Sequence, residues 1–218
     1  MAEPFTATSA TAPTVRGFLH QPASSSKNGL VLTHGAGGNA NGRLLVDLAN
    51  SFATTGVTVL RCDLPFRQAR STGPPSRSSA PLDRAGLAHA VTAMSALGVE
   101  RVFLGGQSYG GRQASMLAAE EPALVAGLLL LSYPLHPPGR VKDLRTAHFP
   151  VLRARVVFVQ GTSDPFGSVE EIEAARRLIP GGTTLILTEG GHDLGYRKPN
   201  RELVERIVGA CASWWAAV

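Results

Sequence analysis

The 218-residue sequence is poor in cysteine, aromatic residues, lysine and charge, and each shortage excludes something. Cys62 and Cys211 are the only cysteines, and neither CxxC nor Cys/His ligand spacing occurs, so no metal site and no disulfide framework is expected. Two thiols in apolar surroundings suit a reducing compartment, and a cytoplasmic location is predicted. Aromatics make up 6% of the chain, too few for a platform on which bases stack. The longest apolar stretch, Leu124 to Leu131, falls far short of the roughly 20 residues of a membrane span. The Ala/Thr/Pro-rich start lacks a basic region followed by an apolar one, so no signal peptide is predicted there and residues 1–12 are expected to be poorly ordered. Charged residues are 17% against a usual value of about 25%, and hydrophobic residues are 44%, which excludes a disordered charged tail.

The charge that is present leans one way. Lys plus Arg total 21 against 16 Asp plus Glu, a net +5, and the pI is about 9.8. Lysine occurs only at positions 27, 142 and 198, so arginine dominates. A pI above 9 raises the question of nucleic acid. No helix-turn-helix signature, zinc spacing or aromatic basic sheet accompanies it, and no nucleic-acid partner is expected.

Strand and helix patterns alternate along the chain. GLVLTH (29–34), VTVLRC (57–62), Val102–Leu104, Leu128–Leu131, VVFVQ (156–160) and Thr183–Leu187 are short apolar runs, and Thr14–Leu19 is a further candidate. Between them, apolar residues recur at helical spacing: Leu44, Leu45, Leu48 and Phe52 after Asn41 as an N-cap, then Leu87, Ala90, Val91, Met94 and Leu97. Ser108–Glu121 is a third helix. Ser168 and Glu171 form a capping box before a fourth. Leu203, Ile207, Cys211 and Trp214 share one face of a last helix, on which Trp214 or Trp215 is also a candidate dimer edge. Such alternation predicts a single domain with a mostly parallel sheet of six to seven strands, covered by helices on both faces. The Pro/Ser/Gly stretch Ser71–Pro81 is a loop within it.

Four motifs fall at the C-terminal ends of these strands, where ligands collect in parallel sheets. Gly106-Gln107-Ser108-Tyr109-Gly110 matches G-x-S-x-G between a strand and a helix, the context in which a serine is pushed out on a sharp turn. A serine hydroxyl needs a base. His192, in GGHDL, is the strongest of the six histidines, with His136 and His148 as runners-up. Asp164, in GTSDPFG, is placed to orient the imidazole, ahead of Asp193 and Asp143. HGAGG (34–38) brings backbone close to the same edge. Its Ala36 amide, with that of Tyr109, is predicted to face an oxyanion, while His34, Gly35 and Gly37 position the loop. HGAGG lacks the lysine of a P-loop and the spacing of a dinucleotide fingerprint, so no nucleotide cofactor is expected.

On these segments the chain resembles the α/β-hydrolase superfamily. LTHGAGG, DLPFRQA and GQSYGGR narrow the resemblance to the small hydrolase-like group that includes testis-expressed and NSL-complex proteins and bacterial dienelactone-hydrolase-like members. The resemblance implies the α/β-hydrolase fold and an esterase working through Ser108, Asp164 and His192, with no cofactor. A thioesterase or amidase would use the same residues, and a catalytically weak interaction module is the alternative from another class. Dienelactone hydrolases proper carry cysteine as nucleophile, and Ser108 departs from that. The connection from Tyr133 to Arg153, where lids of this superfamily enter, is Pro-rich and short, so little or no cap is expected.

Arg61–Arg84 carries five arginines against two aspartates, and Arg140–Arg155 five basic residues against one aspartate. Together they hold more than the whole net charge. Both start at the predicted site edge, so they either ring the entrance and favour a small anionic ester or thioester, or are scattered solvated arginines. Arg67 and Arg145 are the candidate substrate-binding residues.

Overall fold

The computed structural model describes residues 2–24 and 27–215. Its strands are β1 (Ala2–Ala7), β2 (Val15–His20), β3 (Asn28–Thr33), β4 (Thr58–Cys62), β5 (Arg101–Gln107), β6 (Gly127–Leu131), β7 (Arg155–Gly161) and β8 (Thr183–Thr188). The helices are α1 (Arg43–Thr54), α2 (Pro65–Ala69), α3 (Ala80–Ala96), α4 (Tyr109–Glu120), α5 (Val169–Arg176) and α6 (Arg201–Trp215).

All eight strands form one sheet in the order β1-β2-β4-β3-β5-β6-β7-β8. β1–β2 and β2–β4 are antiparallel, and every other pair is parallel. The chain runs outward from β3 to β4, then returns across β3 to β5. That reversal leaves a crevice beyond the C-terminal ends of β3 and β5, where helices on opposite faces draw apart. HGAGG follows β3 and Ser108 follows β5, so topology alone brings these two motifs together.

Alternation along each strand divides the core in two. Val31, Leu104, Leu128, Leu130, Val156 and Phe158 pack on the face covered by α3, α4 and α5. Leu30, Leu32, Leu129, Leu131, Val157 and Val159 pack on the other face, against Leu44, Leu45, Leu48 and Phe52 of α1 and Leu203, Ile207 and Cys211 of α6. Burial on both faces explains why these strands read as unbroken apolar runs. Each fully buried leucine contributes about 1.5–3 kcal/mol. Cys62 and Cys211 are buried free thiols, and burial pushes both up to about 12, so neither is a reactive thiolate. Among the described residues no helix is long and apolar enough to cross a membrane.

Several expectations are corrected. Residues 2–7 of the segment expected to be poorly ordered form β1, which raises the sheet to eight strands. Its Ala/Thr/Pro composition is tolerable because β1 is an edge strand, where proline is accommodated, while Phe5 and Ala7 pack on the core. Asn41 is not the cap of α1: that helix starts after Gly42 with no side-chain cap, and the Asn41 amide donates to Asn39 Oδ1 instead. α3 begins at Ala80, seven residues before its first periodic leucine, with Pro81 in its first turn. The capping box holds, with Ser168 N–H donating to Glu171 Oε2 at 2.7 Å and Glu171 N–H to Ser168 Oγ at 3.3 Å. The side chains of Trp214 and Trp215 lie outside the described residues.

Candidate active site

Ser108 stands between β5 and α4 with φ 50° and ψ −114°, a conformation that L-residues rarely adopt. Its N–H donates to the Leu131 carbonyl at 2.8 Å, which locks the turn to β6. The flanking glycines are there for space. A Cβ on Gly106 would sit 2.7 Å from the backbone of Gly110 and Gly111, and one on Gly110 would sit 2.5 Å from the His34 carbonyl oxygen. The motif thus lets β5, the start of α4 and the end of β3 touch backbone to backbone.

His192 and Asp164 meet this serine. His192 Nε2 lies 2.7 Å from Ser108 Oγ, and Nδ1 lies 2.8 and 3.0 Å from the two Asp164 oxygens. A carboxylate can only accept, so Nδ1 carries the proton and Nε2 is free to take one from the hydroxyl. The Asp164 side chain is completely buried, whereas that of His192 is 26% exposed, so the carboxylate is sealed and the imidazole borders the cleft. Asp164 also accepts from Phe166 N–H at 2.9 Å and from Gln160 Nε2 at 2.9 Å. Phe166 in turn lies against His192, ring centroids 4.1 Å apart.

The HGAGG loop is held from behind. His34 Nδ1 donates to the Gly35 carbonyl at 2.8 Å, and Nε2 accepts from Leu64 N–H at 3.1 Å. Both nitrogens are spent on backbone and burial lowers its pKa, so His34 is a neutral clamp and not a base. Arg67 completes the clamp. Its guanidinium donates to the carbonyls of Ala36 and Gly38 at 2.8 Å, Gly73 at 3.0 Å and Arg70 at 3.1 Å. The Gly35 carbonyl, in the same peptide unit as the Ala36 N–H, is the one His34 holds, and among the described residues that N–H has no acceptor. The amide of Tyr109 lies in the first turn of α4 and has no intrahelical partner either.

Gly35–Gly38, Ser108, Tyr109, Phe166 and His192 border a cleft of about 720 Å³. Arg77, Arg112, Arg145, Met116 and Pro134 are among the other residues of its walls, and none of the lining residues is acidic. The connection from β6 to β7 contributes Pro134 and Arg145 with no more than a 3-10 turn at Phe149–Val151, so no large cap covers the opening.

A family model described as an alpha/beta hydrolase domain matches residues 26–216. The chain belongs to the α/β-hydrolase family. Solved structures agree on the fold. A dienelactone hydrolase from Anabaena variabilis superimposes with a TM-score of 0.76 at 18% identity, over 99% of this chain and 97% of that one. Est1E from Butyrivibrio proteoclasticus gives 0.77 at 16%, over 98% and 99%. A Xanthomonas campestris serine hydrolase described as lacking a lid gives 0.74 at 16%, over 98% and 94%.

In this hydrolase the other candidates are drawn elsewhere. His136 pairs with Glu171 at 3.1 Å and His148 meets Ser115 at 2.8 Å, so neither runner-up reaches Ser108. Asp193 caps Gly195 and Asp143 pairs with Arg140. Arg67, expected to bind substrate, is consumed by carbonyls and buried. Of the two basic segments only Arg77 and Arg145 line the cleft: Arg61 is buried against His20 and Ala40, and Arg84 pairs with Glu120. The basic ring is therefore mostly dispersed.

Three contributors escaped the sequence. Gln160 is fully buried, donates to Asp164 and accepts Tyr133 N–H at 3.1 Å; its one visible signal is a polar residue ending an apolar strand. Phe66 stands edge-on to both His34 and Tyr109, at 5.6 and 5.7 Å, while its amide and the Tyr109 hydroxyl share Asp83. Arg112 lines the cleft from α4.

Proposed function

We propose that this hydrolase cleaves carboxylic esters with Ser108 as nucleophile, His192 as general base and acid, and Asp164 as the group that orients His192. The observation that carries the proposal is the continuous Asp164–His192–Ser108 relay, closed at 2.8 and 2.7 Å at the topological switch point. Ser108 Oγ attacks the acyl carbon as its proton passes to His192 Nε2. Negative charge develops on the carbonyl oxygen, and the amides of Ala36 and Tyr109 donate hydrogen bonds to it, aided by the positive end of α4. The tetrahedral intermediate collapses as the Nε2 proton moves to the departing alkoxide, leaving an acyl-Ser108. A water then gives its proton to Nε2, attacks the acyl carbon and releases the acid while Ser108 Oγ regains its proton. The open cleft supports small soluble esters over interfacial lipid, since no apolar lid is present to switch. The buried free thiols support a reducing, cytoplasmic setting.

The test is a panel of short neutral oxyesters, thioesters and amides on wild type and Ser108→Ala. Oxyester turnover that disappears in Ser108→Ala supports the proposal; equal turnover by both proteins contradicts it.

A further inference from the structure

The cleft walls carry three arginines and no carboxylate. Arg77 is exposed at the rim, but Arg112 and Arg145 are half-buried deeper in the wall, where a cation without a counter-ion is costly. Arg112 leaves α4 one turn after Ser108, its N–H donating to the Ser108 carbonyl, so its side chain leans back toward the nucleophile. No hydrogen bond or ion pair of its guanidinium occurs among the described residues, and its Nε is buried without a partner.

Arg145 approaches from the β6–β7 connection. Its backbone is fixed at both ends, its N–H donating to Leu135 at 2.7 Å and its carbonyl accepting from the Tyr133 hydroxyl at 2.8 Å. Among the described residues its guanidinium has one hydrogen bond, a long 3.4 Å contact to the Pro134 carbonyl. Burial and then the neighbouring Arg112 charge both lower the Arg145 pKa. Two guanidinium groups are thus held on rigid supports, close enough to repel, with most of their donors unspent.

Resting on the hydrolase reading above, we propose that Arg112 and Arg145 together form a subsite for a carboxylate of the substrate, so that the preferred ester bears a free carboxylate a few bonds from the scissile carbonyl. A planar anion between two guanidinium groups accepts their parallel N–H donors and relieves their repulsion. The short reach follows from Arg112, which starts about 6 Å along α4 from Ser108.

The test compares monoethyl succinate and butyryl glycolate, with the carboxylate on the acyl and the alcohol side respectively, against ethyl butyrate, following acid release by pH-stat. One of the two acidic esters is expected to be preferred over ethyl butyrate by about ten- to hundredfold in kcat/KM. Arg145→Gln and Arg112→Gln should each cut that preference at least tenfold, and Arg→Lys should restore part of it. Arg145→Gln keeps the test open if Arg112→Gln does not fold. No preference for either acidic ester, or equal losses on acidic and neutral esters in both variants, overturns the subsite while the hydrolase reading stands. That reading fails separately if ethyl butyrate turnover does not depend on Ser108.

Discussion

The Arg67 guanidinium donates to the carbonyls of Ala36 and Gly38, both at 2.8 Å, and so ties α2 to the HGAGG loop that borders the cleft. Arg67 therefore acts on the loop and not on the substrate. Arg67→Ala should let the HGAGG loop shift as a whole and cost about 10²–10³-fold in kcat, the scale of losing one oxyanion donor. The loss should be equal for neutral and acidic esters. A change confined to KM for acidic esters would instead return Arg67 to substrate binding.

Gln160 fixes the acid. Gln160→Leu removes the donor to Asp164 Oδ2 and leaves the Tyr133 amide unsatisfied in the interior. The expected result is about 1–3 kcal/mol lost in denaturant unfolding and a drop in kcat with little effect on KM. Asp164→Asn, which keeps the shape but offers the wrong tautomer to His192, should cost far more, on the order of 10³–10⁴-fold in kcat.

Gly110 allows the closest approach in the site. The methyl of Gly110→Ala would have to displace the His34 carbonyl and the Thr33 side chain, both within 2.7 Å. Thermal melts should show about 1–3 kcal/mol of destabilisation, and turnover should fall because the shift passes directly into the HGAGG loop.

Two histidines, His20 buried and His148 half-buried, should make the fold acid-sensitive. Burial, assisted by Arg61 and Arg112 respectively, lowers His20 and His148 to about 4. Below pH 6.5 the unfolded chain takes up these protons, while the native rings stay neutral until about pH 4. The unfolded state binds more protons across that window, so stability falls as pH falls through it, by about 1–3 kcal/mol per ring. His148→Gln should flatten the dependence of Tm on pH between 6.5 and 4, and an unchanged slope would contradict the assignment.

The alternation of apolar runs was enough to derive the parallel sheet, because strands buried on both faces leave no other pattern. It was silent on β1, whose Ala/Thr/Pro composition carries no strand signal and whose pairing depends on β2 being present. Ser108, Asp164 and His192 could be placed because each lies within four residues of a strand's end, where position along the chain translates into position in space. The arginines could not. An arginine side chain reaches in many directions, and only packing decides whether it meets carbonyls, as Arg67 does, or a cleft, as Arg112 does. Gln160 and Phe66 act through contacts across the sheet edge that no local spacing records.

In the proposed mechanism Ser108 is activated by His192. Mass spectrometry of the intact, folded protein after treatment with a neutral fluorophosphonate tests it most directly. One adduct per chain is expected, located on the peptide containing Ser108, absent in Ser108→Ala and strongly slowed in His192→Ala. A folded wild-type protein that stays unlabelled, or that labels equally fast without His192, would contradict it.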